Sequence, residues 1–147
     1  MTHGMLCVYK PVTKSSYRNN STITELVIGE NVTTIGKWCF SNCENLREII
    51  FSDKSSLKEI EACAFYQCNS LEHVVLPDGL VEIGDSAFSC CKRLKTVTIP
   101  NSLEIWGLHV FGGCDDVSLV IDDNQNAFHY AFAYEIPVIE VKHHGCS

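Results

Sequence analysis

Nine cysteines and six histidines are the side chains of this 147-residue chain best suited to hold a metal, attack an electrophile or form disulfides. Structural zinc sites place paired thiolates on one tetrahedral ion through short separations such as Cys-x2-Cys. No such pair occurs: Cys39/Cys43 and Cys63/Cys68 are wider, and His143, His144 and Cys146 cluster only at the end of the chain. Covalent catalysis needs a nucleophile within reach of a base, in a site that excludes water. No Gly-x-Ser-x-Gly, His-Glu-x-x-His, P-loop or Gly-x-Gly-x-x-Gly sequence is present, so no catalytic residue, metal or cofactor is expected. The cysteine count is odd and, at about 6%, below the 8–10% of a disulfide scaffold, which favours reduced, buried thiols acting as small core residues.

Their spacing carries more than their chemistry. Cys43, Cys68, Cys91 and Cys114 stand 25, 23 and 23 residues apart, each three places after a phenylalanine: Phe40, Phe65, Phe88 and Phe111. Units this short cannot bury an apolar face alone and must stack into a continuous core. Each opens on an alternating run (ITELVI, LREIIF, LEHVVL, LKTVTI and a degenerate VSLVI), the period of a strand with one face inward. A turn segment follows (GEN, SDKSS, PDG, PNS), and the two extra residues of the second unit fall there, where insertion disturbs packed positions least. Apolar pairs at i, i+3 (Val32/Ile35, Leu57/Ile60, Leu80/Ile83, Leu103/Trp106) then predict a short helical turn across the back. The small-residue-plus-Phe step after each pair is expected to put the rings between layers, where each buries on the order of 150–250 Å².

This pattern, clearest in LEHVVLPDGLVEIGDSAFSCCKRL, resembles the BspA-like leucine-rich repeat. The resemblance implies an α/β fold: a leucine-rich-repeat solenoid with a parallel concave β-sheet, short helical turns on the convex side and a C-terminal capping helix. It also implies a non-enzymatic module of a cell-surface or secreted protein that takes part in adhesion or other protein binding. Departures from the pattern are Cys39 and Val110 in the place of alanine and Trp106 in that of isoleucine. The N-terminal MTHGMLCVYKPVTKSS shows no uninterrupted apolar signal segment, so the expected localisation comes from the resemblance alone.

The organisation expected is an N-terminal segment or cap over 1–22, repeats over 23–121, and a C-terminal cap and tail over 122–147. Leu6 to Tyr9 suits a preceding strand, whereas Lys10 to Thr22 is polar and shows no clear repeat. Phe128, Ala131, Phe132 and Ile136 lie at helical spacing and are expected to form the lid over the last coil, with Pro137 halting the helix before a final strand, VIEV. A formal charge of −7 excludes a phosphate-neutralising surface and fits a basic partner better than nucleic acid; no apolar run is long enough for membrane insertion.

Alternation places two columns on the outward face of the strands: Glu25, Glu48, His73 and Thr96, and beside them Val27, Ile50, Val75 and Thr98. An apolar strip with a polar rim is a contact surface, so these eight residues are the candidate protein-binding face, for a host or extracellular-matrix protein by resemblance. Sheet propensity of β-branched residues gives the alternative, a structural spacer of a larger surface protein with no ligand of its own. A third column at the strand exits, Glu30, Asp53, Asp78 and Asn101, reads as turn formers without the convergence of a calcium cage.

Overall fold

The computed structural model of the chain describes residues 4–10, 12 and 15–142. In chain order its elements are β1 (Met5–Val8), β2 (Glu25–Ile28), β3 (Thr34–Ile35), β4 (Glu48–Phe51), β5 (Glu59–Ile60), β6 (His73–Val75), β7 (Glu82–Ile83), β8 (Thr96–Ile99), β9 (Ile105–Trp106), β10 (Ser118–Ile121), α1 (Gln125–Ala133) and β11 (Val138–Glu140). Every strand pairing is parallel and joins equivalent places of successive coils, as Leu26↔Ile49 and Val97↔Leu119 illustrate. The result is a β-solenoid of stacked parallel coils, with its core in the space each coil encloses.

The rings form one file through that core. Tyr17, Phe40, Phe65, Phe88 and Phe111 stack at centroid distances of 5.3, 5.4, 5.1 and 6.0 Å, and Phe40, Phe65 and Phe88 have no exposed surface. The first of them corrects the reading of the N-terminal stretch. Tyr17 lies 23 residues before Phe40, Val12 bridges to Ile35, and β1 pairs with β2, so the described residues of the polar segment follow a coil in register with the rest. Tyrosine stands for the phenylalanine. Asn20 stands for the cysteine, its Oδ1 accepting from the Thr22 and Ile23 amides to turn the chain into β2.

The expected helical turns across the back are absent among the described residues. Their place is taken by a second parallel sheet, in the order β3-β5-β7-β9, and by turns in which Trp38, Cys63, Ser86 and His109, then Asn42, Gln67 and Cys90, adopt φ of 51–61°. Hydrogen bonding gives the reason. The Trp38, Phe40 and Asn42 amides donate to Ala62, Ala64 and Tyr66 carbonyls of the next coil, while the Cys39, Ser41 and Cys43 amides between them make i−3 turns. An α-helix would spend every amide within its own coil; here half of them bind neighbouring coils together.

The two inserted residues of the second coil fall in the turn after β4, as expected. Leu57 and Ile60 beyond the insertion remain fully buried, so the core register is kept. The sheet of longer strands, however, divides into β1-β2-β4 and β6-β8-β10-β11: β4 and β6 lie side by side without a ladder. Phe51, larger than the Ile28, Leu76, Ile99 and Ile121 that fill its place elsewhere, is only half-buried at this seam.

At the C-terminal end, α1 starts at Asn124, whose Oδ1 accepts from the Ala127 amide. It turns Ala127 and Ala131 inward and leaves Phe132 89% exposed. The small residues face the solenoid because the helix backbone comes close to it. Phe132 is therefore not part of the lid, while Ala131, Phe128 and Ile136 are packed against the core as expected, and the expected final strand after Pro137 is β11.

Candidate functional site

The cysteines resolve into core and surface groups. Cys43, Cys68, Cys91 and Cys114 are buried, and each thiol donates to a carbonyl of the preceding coil, from Tyr17, Phe40, Phe65 and Phe88 respectively, at 3.1–3.3 Å. Size and polarity both fit the position: a sulfur fills the space of a small apolar side chain, and its S–H gives a carbonyl of the neighbouring coil a further donor. All eight described cysteines are free thiols; Cys146 and the neighbouring histidines lie outside the described residues. Burial pushes the Cys39 and Cys43 thiols up to about 11 and raises Cys68 too. Because the thiolate is the nucleophile, iodoacetamide at neutral pH should label exposed Cys7 but spare Cys43 and Cys68 until denaturant is added. Mass-spectrometric mapping would refute this assignment if native Cys68 reacted as fast as Cys7.

The two outward columns fall into place through the strand register. Glu25 pairs with Glu48 and Val27 with Ile50 on one side of the seam; His73 pairs with Thr96 and Val75 with Thr98 on the other. Glu48 and His73 are exposed, and Glu25, Val27, Thr96 and Thr98 are half-buried. Ile50 and Val75 are 41% and 63% exposed. His73 Nδ1 shares a 2.7 Å hydrogen bond with Thr96 Oγ1, which fixes the imidazole on the sheet. Further coils extend the columns beyond those read from the repeats, with Met5 and Ser118 in the first and Cys7, Val120 and Ile139 in the second.

Across the seam runs a groove of about 570 Å³. Ile50, Phe51, Val75 and Pro77 supply its apolar surface, while Glu48, Asp53, Asp78 and Asp122 put carboxylates around it, and among the described residues no lysine or arginine lines it. Of the third column, Asp53, Asp78 and Asn101 border the groove and Glu30 does not. Asn101 lies in a turn, and its Oδ1 accepts from the Asp123 amide of the next coil. The groove itself was hidden from sequence reasoning, although the bulky Phe51 and the two-residue insertion beside it are its visible signs.

Parallel coils with inward leucines and a ring file define a leucine-rich repeat protein. Residues 10–137 match the BspA-type leucine-rich repeat region in six copies, and the chain belongs to that family. No curated protein matches it significantly. Among solved structures, a leucine-rich repeat protein of T. pallidum is 27% identical, with a TM-score of 0.74 over 80% of this chain and 58% of its own. One from Bacteroides ovatus superposes with a TM-score of 0.79 at 24% identity, over 94% of this chain and 36% of its own. A leucine-rich cell surface protein of Faecalibacterium prausnitzii gives 0.76 at 22% identity, over 87% and 34%. The chain thus spans between about a third and three-fifths of the length of these relatives. No helix among the described residues is long and apolar enough to cross a membrane.

Proposed function

We propose that this chain is a non-enzymatic protein-binding module of a cell-surface or secreted protein, and that its concave face, centred on the seam groove, receives the partner. The observation that carries the reading is the exposure of Ile50 and Val75 side by side within a ring of carboxylates. An apolar centre with a charged rim is the anatomy of a protein contact surface, and the rim's sign favours a segment bearing lysine or arginine beside aliphatic residues. The surface setting is supported by the family and by the description of the F. prausnitzii relative. A host or extracellular-matrix protein is the partner class this setting suggests.

The test is capture from the native organism's surface and from host extracellular material, using the wild-type chain beside Val75→Glu and Ile50→Lys. Both side chains point out of the sheet, so the variants are expected to keep the wild-type unfolding transition while losing a protein that the wild type retains. Capture of the same proteins by wild type and both variants, or of none by any of them, would sink the reading; the latter result is that of a spacer.

A further inference from the structure

Each ring of the internal file is covered by the ring of the next coil, until Phe111. The 23-residue period assigns the next place to Tyr134, but Tyr134 stacks instead on Tyr130, 4.3 Å away, which itself lies against Trp106 at 4.4 Å. The Tyr130 hydroxyl anchors this arrangement by donating to the Gly107 carbonyl and accepting from the Val110 amide, both at 3.0 Å. Between the last turn and the segment following α1, a pocket of about 270 Å³ is left, with Phe111, Cys114, Tyr134 and Ile136 among its walls. That is below the roughly 300–1,000 Å³ of a site for a drug-sized ligand and suits a single side chain.

Its chemistry selects which one. Aromatic side chains line it together with two exposed carboxylates, Asp115 and Glu135, and among the described residues no lysine or arginine does. His109 meets Tyr134 edge-on at 5.4 Å, closing one side. A phenyl guest would use the rings and desolvate the carboxylates without pairing them. An ammonium would pair the carboxylates as a point charge. A guanidinium does both, since its plane stacks on a ring while its edge donates to carboxylates. The chain already contains the stacking half of this contact: Trp38 occupies the place of His109 in the first full repeat, and the Arg18 guanidinium of the preceding coil lies 4.7 Å over its ring.

We propose that the pocket at the C-terminal end of the ring file is a binding site for an arginine side chain of a protein partner. It shares no residue with the seam groove and does not depend on that groove's being a binding face. The test is titration of the full chain with N-acetyl-arginine methylamide, and with the lysine and phenylalanine analogues, following the backbone amide resonances of Gly112, Gly113 and Glu135. The arginine probe is expected to saturate these shifts with a Kd at least tenfold lower than either analogue. Asp115→Asn with Glu135→Gln should raise that Kd at least tenfold, and Val75→Glu should leave it unchanged. Failure of the arginine probe to saturate, equal affinity for either analogue, or an unchanged Kd in the doubly neutralised chain would overturn the proposal. The comparison of the three probes on the wild-type chain decides it even if the double variant folds poorly.

Discussion

Replacing Phe88 by alanine should cost the protein about 3–5 kcal/mol of stability, the loss typical of a large aromatic removed from a core that cannot collapse into the gap. Phe88 has no exposed surface, and its ring lies between Phe65 at 5.1 Å and Phe111 at 6.0 Å, near parallel to both. Its backbone amide is committed to the Val110 carbonyl of the next coil, which holds the main chain in place while the cavity opens. Lost stacking adds roughly 0.5–1.5 kcal/mol for each ring pair to the loss of buried area. Against a total of about 5–15 kcal/mol for a domain, the variant should unfold at markedly lower denaturant concentration. Phe132→Ala is the control: with 89% of that residue exposed, its midpoint should stay within about 0.5 kcal/mol of wild type. A Phe88→Ala change below about 1 kcal/mol would place the ring outside the core.

Gly84→Ala should be the next most damaging, at about 1–3 kcal/mol, for the opposite reason: one methyl group too many. A Cβ at Gly84 would lie 2.5 Å from the Ala62 nitrogen and 2.8 Å from the Glu61 carbonyl carbon. Both are backbone atoms of the preceding coil, and Gly84 is tied there by its amide, which donates to the Ile60 carbonyl at 2.7 Å. The coils therefore touch main chain to main chain and cannot part locally without breaking that bond. Gly107 repeats the contact one coil later against Asp85 and Gly84, so Gly107→Ala should behave alike. Equilibrium denaturation curves superimposable on wild type would show that the coils stand further apart than described.

The elements whose signal is a side-chain pattern were legible. Strand positions such as Leu26, Ile49, Val74 and Val97 alternate with outward residues, and the Phe and Cys files keep their period through the insertion. Elements whose signal is backbone geometry were not. The strands β3, β5, β7 and β9 have two residues each, too few to show alternation, and their i, i+3 apolar pairs match a helical turn equally well. The left-handed turns fall on Trp38, Cys63, Ser86 and His109, none of them the glycine that announces positive φ. The N-terminal coil keeps its spacing but loses its signature residues, Tyr17 and Asn20 standing where Phe and Cys do elsewhere. Of the expected lid, Ala131 is buried and Phe128 and Ile136 pack partly against the core, whereas Phe132 faces outward and Ala127, hidden by its small size, takes the other inward place. The candidate face was readable as two columns because alternation fixes which side chains point outward. Its groove was not, since it arises where Phe51 is too large for its place and the ladder between β4 and β6 is missing.

The central claim is that each repeat completes one lap and delivers its ring onto the ring of the lap before. Nuclear Overhauser contacts between specifically labelled phenylalanine rings measure this directly in solution. Phe65, at 5.4 Å from Phe40 and 5.1 Å from Phe88, should give strong cross-peaks to both, while Phe40 and Phe88, separated by its ring, give none to each other. Absence of the Phe40–Phe65 and Phe65–Phe88 cross-peaks in the folded protein would contradict the stacked solenoid and the groove built on it.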